Sequence, residues 1–187
     1  MTKTASKEVR FITTTAMGIA LVILAQWLGS LLPAGAVIVG PFAVKQLITG
    51  SLVNCILLVF TACAGPVCAV IIGILSAILA TIIGVGPQVI PIVPLIAIGN
   101  AVIAIAYYLC NEKLHLSSVI SMVIAAVCKC AFLWATVGPL LSALTSVPEK
   151  QANSLSIMFS WPQGLTALCG GIIAVIIIPR LKKLVKK

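Results

Sequence analysis

Apolar residues run along this chain almost without interruption, broken at intervals by short clusters of glycine, proline or polar residues. A helix buried in a soluble core shows one apolar stripe, whereas a helix in lipid is apolar all round and needs about 20 residues to cross. Six stretches of that length are predicted as helices: 11–32, 46–64, 66–85, 90–110, 117–141 and 158–179. The breaks between them fall at Gly65-Pro66, at Gly84-Val85-Gly86-Pro87, at Asn111-Glu112-Lys113 and over 142–156. Pro87, Pro91 and Pro94 crowd the start of the fourth stretch, so its boundary with the third is the least sharply drawn.

Composition agrees with lipid as the solvent. Hydrophobic residues make up 61% of the 187 positions and charged residues only 8%, with a mean hydropathy of +1.27. A soluble domain carries about a quarter of its residues as charges, so this chain lacks the polar surface for water. Six spans with short joints use up the length, giving one all-α integral-membrane domain, a compact bundle over 1–187, with a polar N-terminal segment 1–10 and a basic tail 180–187. Lys3, Lys7 and Arg10 precede a span-length stretch with no small-residue cleavage site, so no removable signal peptide is expected.

The net charge of +9 is distributed as a topology signal rather than as a nucleic-acid patch. With the N-terminus inside, Lys3, Lys7, Arg10, Lys113, Arg180, Lys182, Lys183, Lys186 and Lys187 face the cytoplasm, against Lys45 and Lys150 outside. That asymmetry predicts both termini cytoplasmic in a multi-pass bacterial inner-membrane protein, with no nucleic-acid partner. The basic tail could also touch anionic lipid.

No enzymatic constellation is legible. The chain has no aspartate, and Glu8, Glu112 and Glu149 all fall outside the predicted spans, so no acid is placed to harness an ion gradient. No phosphate-cradling loop, no nucleophile–base pair and no metal set is visible; Cys128 and Cys130 point to different faces of a helix, and His115 stands alone in a joint. The expectation is a non-enzyme without cofactor or metal that binds something and draws its energy from a partner. Sodium coupling through backbone carbonyls would escape this inference.

Polar residues inside the apolar stretches are the candidate chemistry. Lys129 lies near the middle of the fifth, roughly 13–18 Å below the outer surface, with Asn100 at about 15 Å and Asn54 at about 12 Å. Gln163 follows Trp161-Pro162 at the outer end of the sixth. All share the outer half, which a cavity open to the exterior would explain; helix-gluing amides and a snorkelling lysine are the other reading. Trp161 and Trp134 could each stack on a flat ligand or anchor an interface, while Trp27, Tyr107 and Tyr108 read as anchors. Small residues one turn apart, Ala16 and Ala20 in the first stretch and Ala69, Gly73, Ala77 and Thr81 in the third, allow another helix to come close, within the bundle or from a partner.

With these features the chain resembles a substrate-binding S component of an energy-coupling factor vitamin transporter. The resemblance rests on length, six spans, both ends inside, Ala16/Ala20, and the stretches Gly50-Ser-Leu-Val-Asn54, Ile90-Pro-Ile-Val-Pro-Leu-Ile-Ala-Ile-Gly-Asn-Ala101 and Phe159-Ser-Trp-Pro-Gln163. It implies a six-helix bundle that binds a vitamin or precursor from outside and topples to release it. It also implies that the Ala16/Ala20 face docks on a membrane T subunit coupled to two cytoplasmic ATPases, with the first outer loop, 33–45, capping the pocket. Lys129, Asn100, Trp161, Gln163 and Asn54 are the expected substrate contacts. A lone cation favours a carboxylate or polarised carbonyl, so niacin- or pantothenate-like compounds fit better than thiamin. A membrane assembly or structural subunit, and a self-sufficient small carrier, remain the other readings.

Overall fold

A computed structural model describes residues 3–33, 36–86, 89–144 and 148–185. Pro87 of the third joint, residues 34 and 35 of the first loop, 145–147 of the last joint, and Lys186 and Lys187 of the tail lie outside the described residues.

Six candidate membrane spans are present, Ser6–Ser30, Val44–Ala64, Pro66–Ile83, Ile90–Lys113, Ser118–Ala143 and Glu149–Lys183, all long and apolar enough to cross a bilayer. The helices that form them are α1 (Lys3–Ser30), α2 (Val44–Ala64), α3 (Pro66–Ile83), α4 (Val93–Tyr108), α5 (Ser118–Ala143), α6 (Glu149–Met158) and α7 (Trp161–Val185). This is the make-up of a multi-pass membrane protein. Large apolar side chains turned outward, such as Ile82 and Trp134 at 74% and 70% exposure, need lipid around them.

Local chemistry sets the joints. Gly65 adopts φ 97° between α2 and α3, and Pro66 takes the first position of α3, where its missing N–H costs no hydrogen bond. Gly84 closes α3 in the left-handed conformation and donates to Ala80 O and Thr81 O. Pro91 sits in one turn of 3-10 helix, Ile90–Ile92, ahead of α4, and Pro94 falls in the first turn of α4. Ser117 caps α5, its hydroxyl accepting from Ile120 N at 3.3 Å.

Three local features differ from expectation. The joint at Asn111-Glu112-Lys113 is a π-helical turn, Leu109–Lys113, that prolongs α4. The first loop carries a two-stranded hairpin, β1 (Val37–Val39) with β2 (Phe42–Ala43). The last joint contains α6, an ordered helix where the sequence reads as a polar break.

Packing is closest between α2 and α7. A Cβ on Gly170 would lie 2.2 Å from Ser51 O, so the two backbones touch. Gly18 seats α1 against Ile72 of α3, and Gly73 seats α3 against Asn100 of α4. The stripe Ala69, Gly73 and Ala77 is therefore buried within the bundle, whereas Ala16 and Ala20 are exposed on its surface. Tyr107 is also buried, at 1% exposure, instead of anchoring an interface; its neighbour Tyr108 is half-buried.

The charges segregate by end. Lys7, Arg10, Ala64 and Leu181 line one groove, and Lys182 Nζ pairs with Glu112 Oε1 at 3.2 Å, so these residues share one end of the bundle. Lys45 lies in the first turn of α2 at the opposite end, where Gln46 donates to Met158 O at the end of α6.

Candidate functional site

Lys129 projects from α5 into the bundle interior and is 4% exposed. Its Nζ donates to Asn54 Oδ1 of α2 at 2.6 Å and to Asn100 Oδ1 of α4 at 2.8 Å. Asn100 in turn donates from Nδ2 to Gly73 O of α3 at 3.1 Å. Four helices thus meet at one cation. Asn54 and Asn100 are 1% and 4% exposed, so the cluster is closed off from both lipid and water.

Helix packing dictates this convergence. Gly73 brings the α3 carbonyl within reach of Asn100, because a side chain there would meet Asn100 Cβ at 2.8 Å. Gly170 of α7 lets that helix close on Asn54, whose Cβ a side chain at 170 would meet at 3.0 Å. Gly99 makes room for Leu133, one turn along α5 from Lys129.

The energetics balance without neutralising the charge. Placing a lysine at mid-bilayer costs about 2.5–3.5 kcal/mol on insertion scales. Two charge-assisted hydrogen bonds, each worth about 1.5–3 kcal/mol, match that cost. Amide oxygens carry only partial charge, however. The ion pair Lys182–Glu112 is the only one among the described residues, and it lies at the far end of the bundle. Among the described residues Lys129 therefore has amide acceptors but no acidic partner in the interior.

The other two expected contacts lie elsewhere. Gln163 donates from Nε2 to Met158 O at 3.3 Å, the same carbonyl that accepts from Gln46 Nε2 at 3.0 Å. Trp161 is 49% exposed and meets Phe42 of the hairpin edge-on, ring centroids 5.4 Å apart and planes at 71°. Gln163 is about 10 Å along α7 from Gly170, the residue that touches Asn54. The chain neighbours of Trp161 and Gln163 reach α5 beside Lys129: Cys130 Sγ donates to Ser160 O at 3.4 Å, and Gly164 faces Cys130. Trp134 points outward, away from the Lys129 cluster.

The cavity expected above Lys129 does not coincide with the groove found in the bundle, which runs along α1, α2 and α7 and excludes Lys129. The half of the bundle that holds the start of α2 instead contains buried oxygens with no hydrogen-bond partner among the described residues: Ser51 Oγ, Thr49 Oγ1, Gln46 Oε1 and Gln26 Oε1. Ser51 is the one most fully enclosed, at 7% exposure, one turn from Asn54 on α2. Its position inside Gly50-Ser-Leu-Val-Asn54 was the available signal for it. No group of three His, Cys, Asp or Glu able to hold a metal is present among the described residues.

No protein-family model, no curated protein and no solved structure matches this chain.

Proposed function

We propose that this protein is the substrate-binding subunit of an energy-coupling-factor-type importer for a small anionic vitamin or precursor. In this reading it is a bacterial cell-membrane protein with both termini cytoplasmic and no enzymatic activity. A T subunit docked on Ala16 and Ala20 and two cytoplasmic ATPases supply the energy. The observation that carries the reading is the enclosed Lys129 Nζ, which has two amide acceptors for the three donors of an ammonium and no acid beside it. Asn54 and Asn100 stand where carboxylate oxygens would sit, and an incoming carboxylate would displace them and neutralise the cation. Ser51, Gln46, Gln163 and the ring of Trp161 lie on the outer side, by which such a ligand would enter.

Mass spectrometry of small molecules released from the purified protein tests this directly. A carboxylated heteroaromatic or pantothenate-like compound that binds the parent, and binds Lys129→Gln and Lys129→Ala at least about a hundredfold more weakly, fits the assignment; a buried charge pair truncated on one side loses about 3–5 kcal/mol. Unchanged affinity in both variants removes Lys129 from the pocket. Co-purification with a T subunit and paired ATPases tests the partners.

A second reading is favoured by the closure of the same cluster: Lys129, Asn54, Asn100 and Gly73 form a polar clamp of a membrane assembly or structural subunit without a ligand. Lys129→Gln would then lower stability alone, and no released compound would rebind.

A further inference from the structure

Along the flank of the bundle, α1, α2 and α7 enclose a groove of about 650 Å³. Met17 and Leu21 of α1, Ile56 and Val59 of α2 and Ile177 of α7 form its apolar walls, and Lys7 and Arg10 close one end. Both cations are exposed there. Glu8, the acid of the same turn, is not part of the lining.

We propose that this groove is a binding site for one anionic phospholipid, its phosphate held by Lys7 and Arg10 and an acyl chain laid between α1 and α2. Three observations converge on this occupant. The first is charge: two cations without a lining acid complement a phosphodiester, and each basic residue at a membrane surface contributes measurably to anionic lipid binding. The second is length. From Arg10 to Leu21, α1 advances about 16 Å, about half of the ~30 Å hydrocarbon thickness, so the cations stand at headgroup level when the walls span one leaflet.

The third is the shape of α1 itself. At ~100° per residue, the direction of Met17 and Leu21 lies about 100° from that of Ala16 and Ala20, with Met17 and Ala20 the adjoining edges about 60° apart, and neither alanine lines the groove. A partner helix fits best against the small residues, where backbones can approach. The bulky walls of the groove suit a flexible chain instead. The two surfaces adjoin along the Met17–Ala20 edge and share no lining residue.

The test uses the purified full-length protein in neutral detergent, by native mass spectrometry and thermal unfolding. Phosphatidylglycerol is titrated against phosphatidylcholine of identical chains, with inorganic phosphate as a third arm. Retention of one phosphatidylglycerol with a rise in Tm, and neither effect from the other two additives, supports the site. Lys7→Gln/Arg10→Gln should weaken that retention roughly tenfold or more, the loss expected for two surface cations. Both positions are exposed, so this variant keeps the fold. Met17→Trp, which fills the groove, should also abolish retention while leaving the cations in place. Equal retention of phosphatidylcholine, an equal Tm rise with inorganic phosphate, or undiminished retention by the double variant overturns the proposal. Displacement of the lipid by a bound protein partner without loss of the partner's contacts to Ala16 and Ala20 would instead assign the groove to that partner.

Discussion

Asn100 Nδ2 donates to Gly73 O at 3.1 Å, tying α4 to α3 through a carbonyl that α3 exposes only because its residue has no side chain. The same amide offers its oxygen to Lys129, so the state of Gly73 reaches the buried cation.

Gly73→Val should therefore destabilise the bundle by about 1–3 kcal/mol, the usual cost of overpacking a filled interior. A Cβ at this position meets Asn100 Cβ at 2.8 Å and has to move it. Chemical unfolding in detergent measures the loss; a Gly73→Val protein as stable as its parent would show that α3 and α4 separate freely here.

Asn54→Leu should cost about 1.5–3 kcal/mol, because it strips one acceptor from an enclosed ammonium. Combining it with Lys129→Met removes the charge that made the loss expensive. The double variant should then be more stable than the sum of the single changes predicts, with a coupling of about 0.5–3 kcal/mol. Strict additivity in the cycle would mean that the two groups do not interact.

Gly170→Val should be among the most damaging single changes, about 3 kcal/mol or more, since Ser51 O is backbone and cannot swing aside. Gly138→Ala offers a control on α5: the added methyl has only Ser156 Oγ nearby, at 4.0 Å. Comparing the two melting curves checks the prediction.

Ala16→Leu with Ala20→Leu should leave stability within about 0.5 kcal/mol, as both positions are exposed. If a T subunit docks there, the same variant should lose co-purification with it while still binding its ligand. Retained association would place the docking face elsewhere.

Much of the architecture could be read from the chain because a span-length apolar run has few alternatives. The ends were legible where Gly65, Pro66 and Gly84 impose backbone geometry. The helix α6 was not, since Glu-Lys-Gln-Ala-Asn-Ser at its start has the polarity of a loop and no apolar period to betray it. Tyr107 and Tyr108 look alike in sequence, yet neighbours on a helix point ~100° apart, and only packing decides which one turns inward. The polar cluster shows the same limit. Depth placed Lys129, Asn54 and Asn100 at one level, but an apolar-all-round helix carries no stripe to fix its rotation, so their contact was not derivable. Nor could the two small-residue patterns be told apart: the one on α3 is covered by α4, the one on α1 is left open.

The main-chain seating of α7 on Ser51 has a mechanical corollary. Where Gly170 meets the Ser51 carbonyl, backbone rests on backbone and no side chain is there to swing aside. The seam of α7 with α5 is different: Gly171 and Gly164 meet the thioether of Met122 and the thiol of Cys130, groups that can repack. Repacking of those two groups would let α5 shift against α7, and α5 is the helix that carries Lys129.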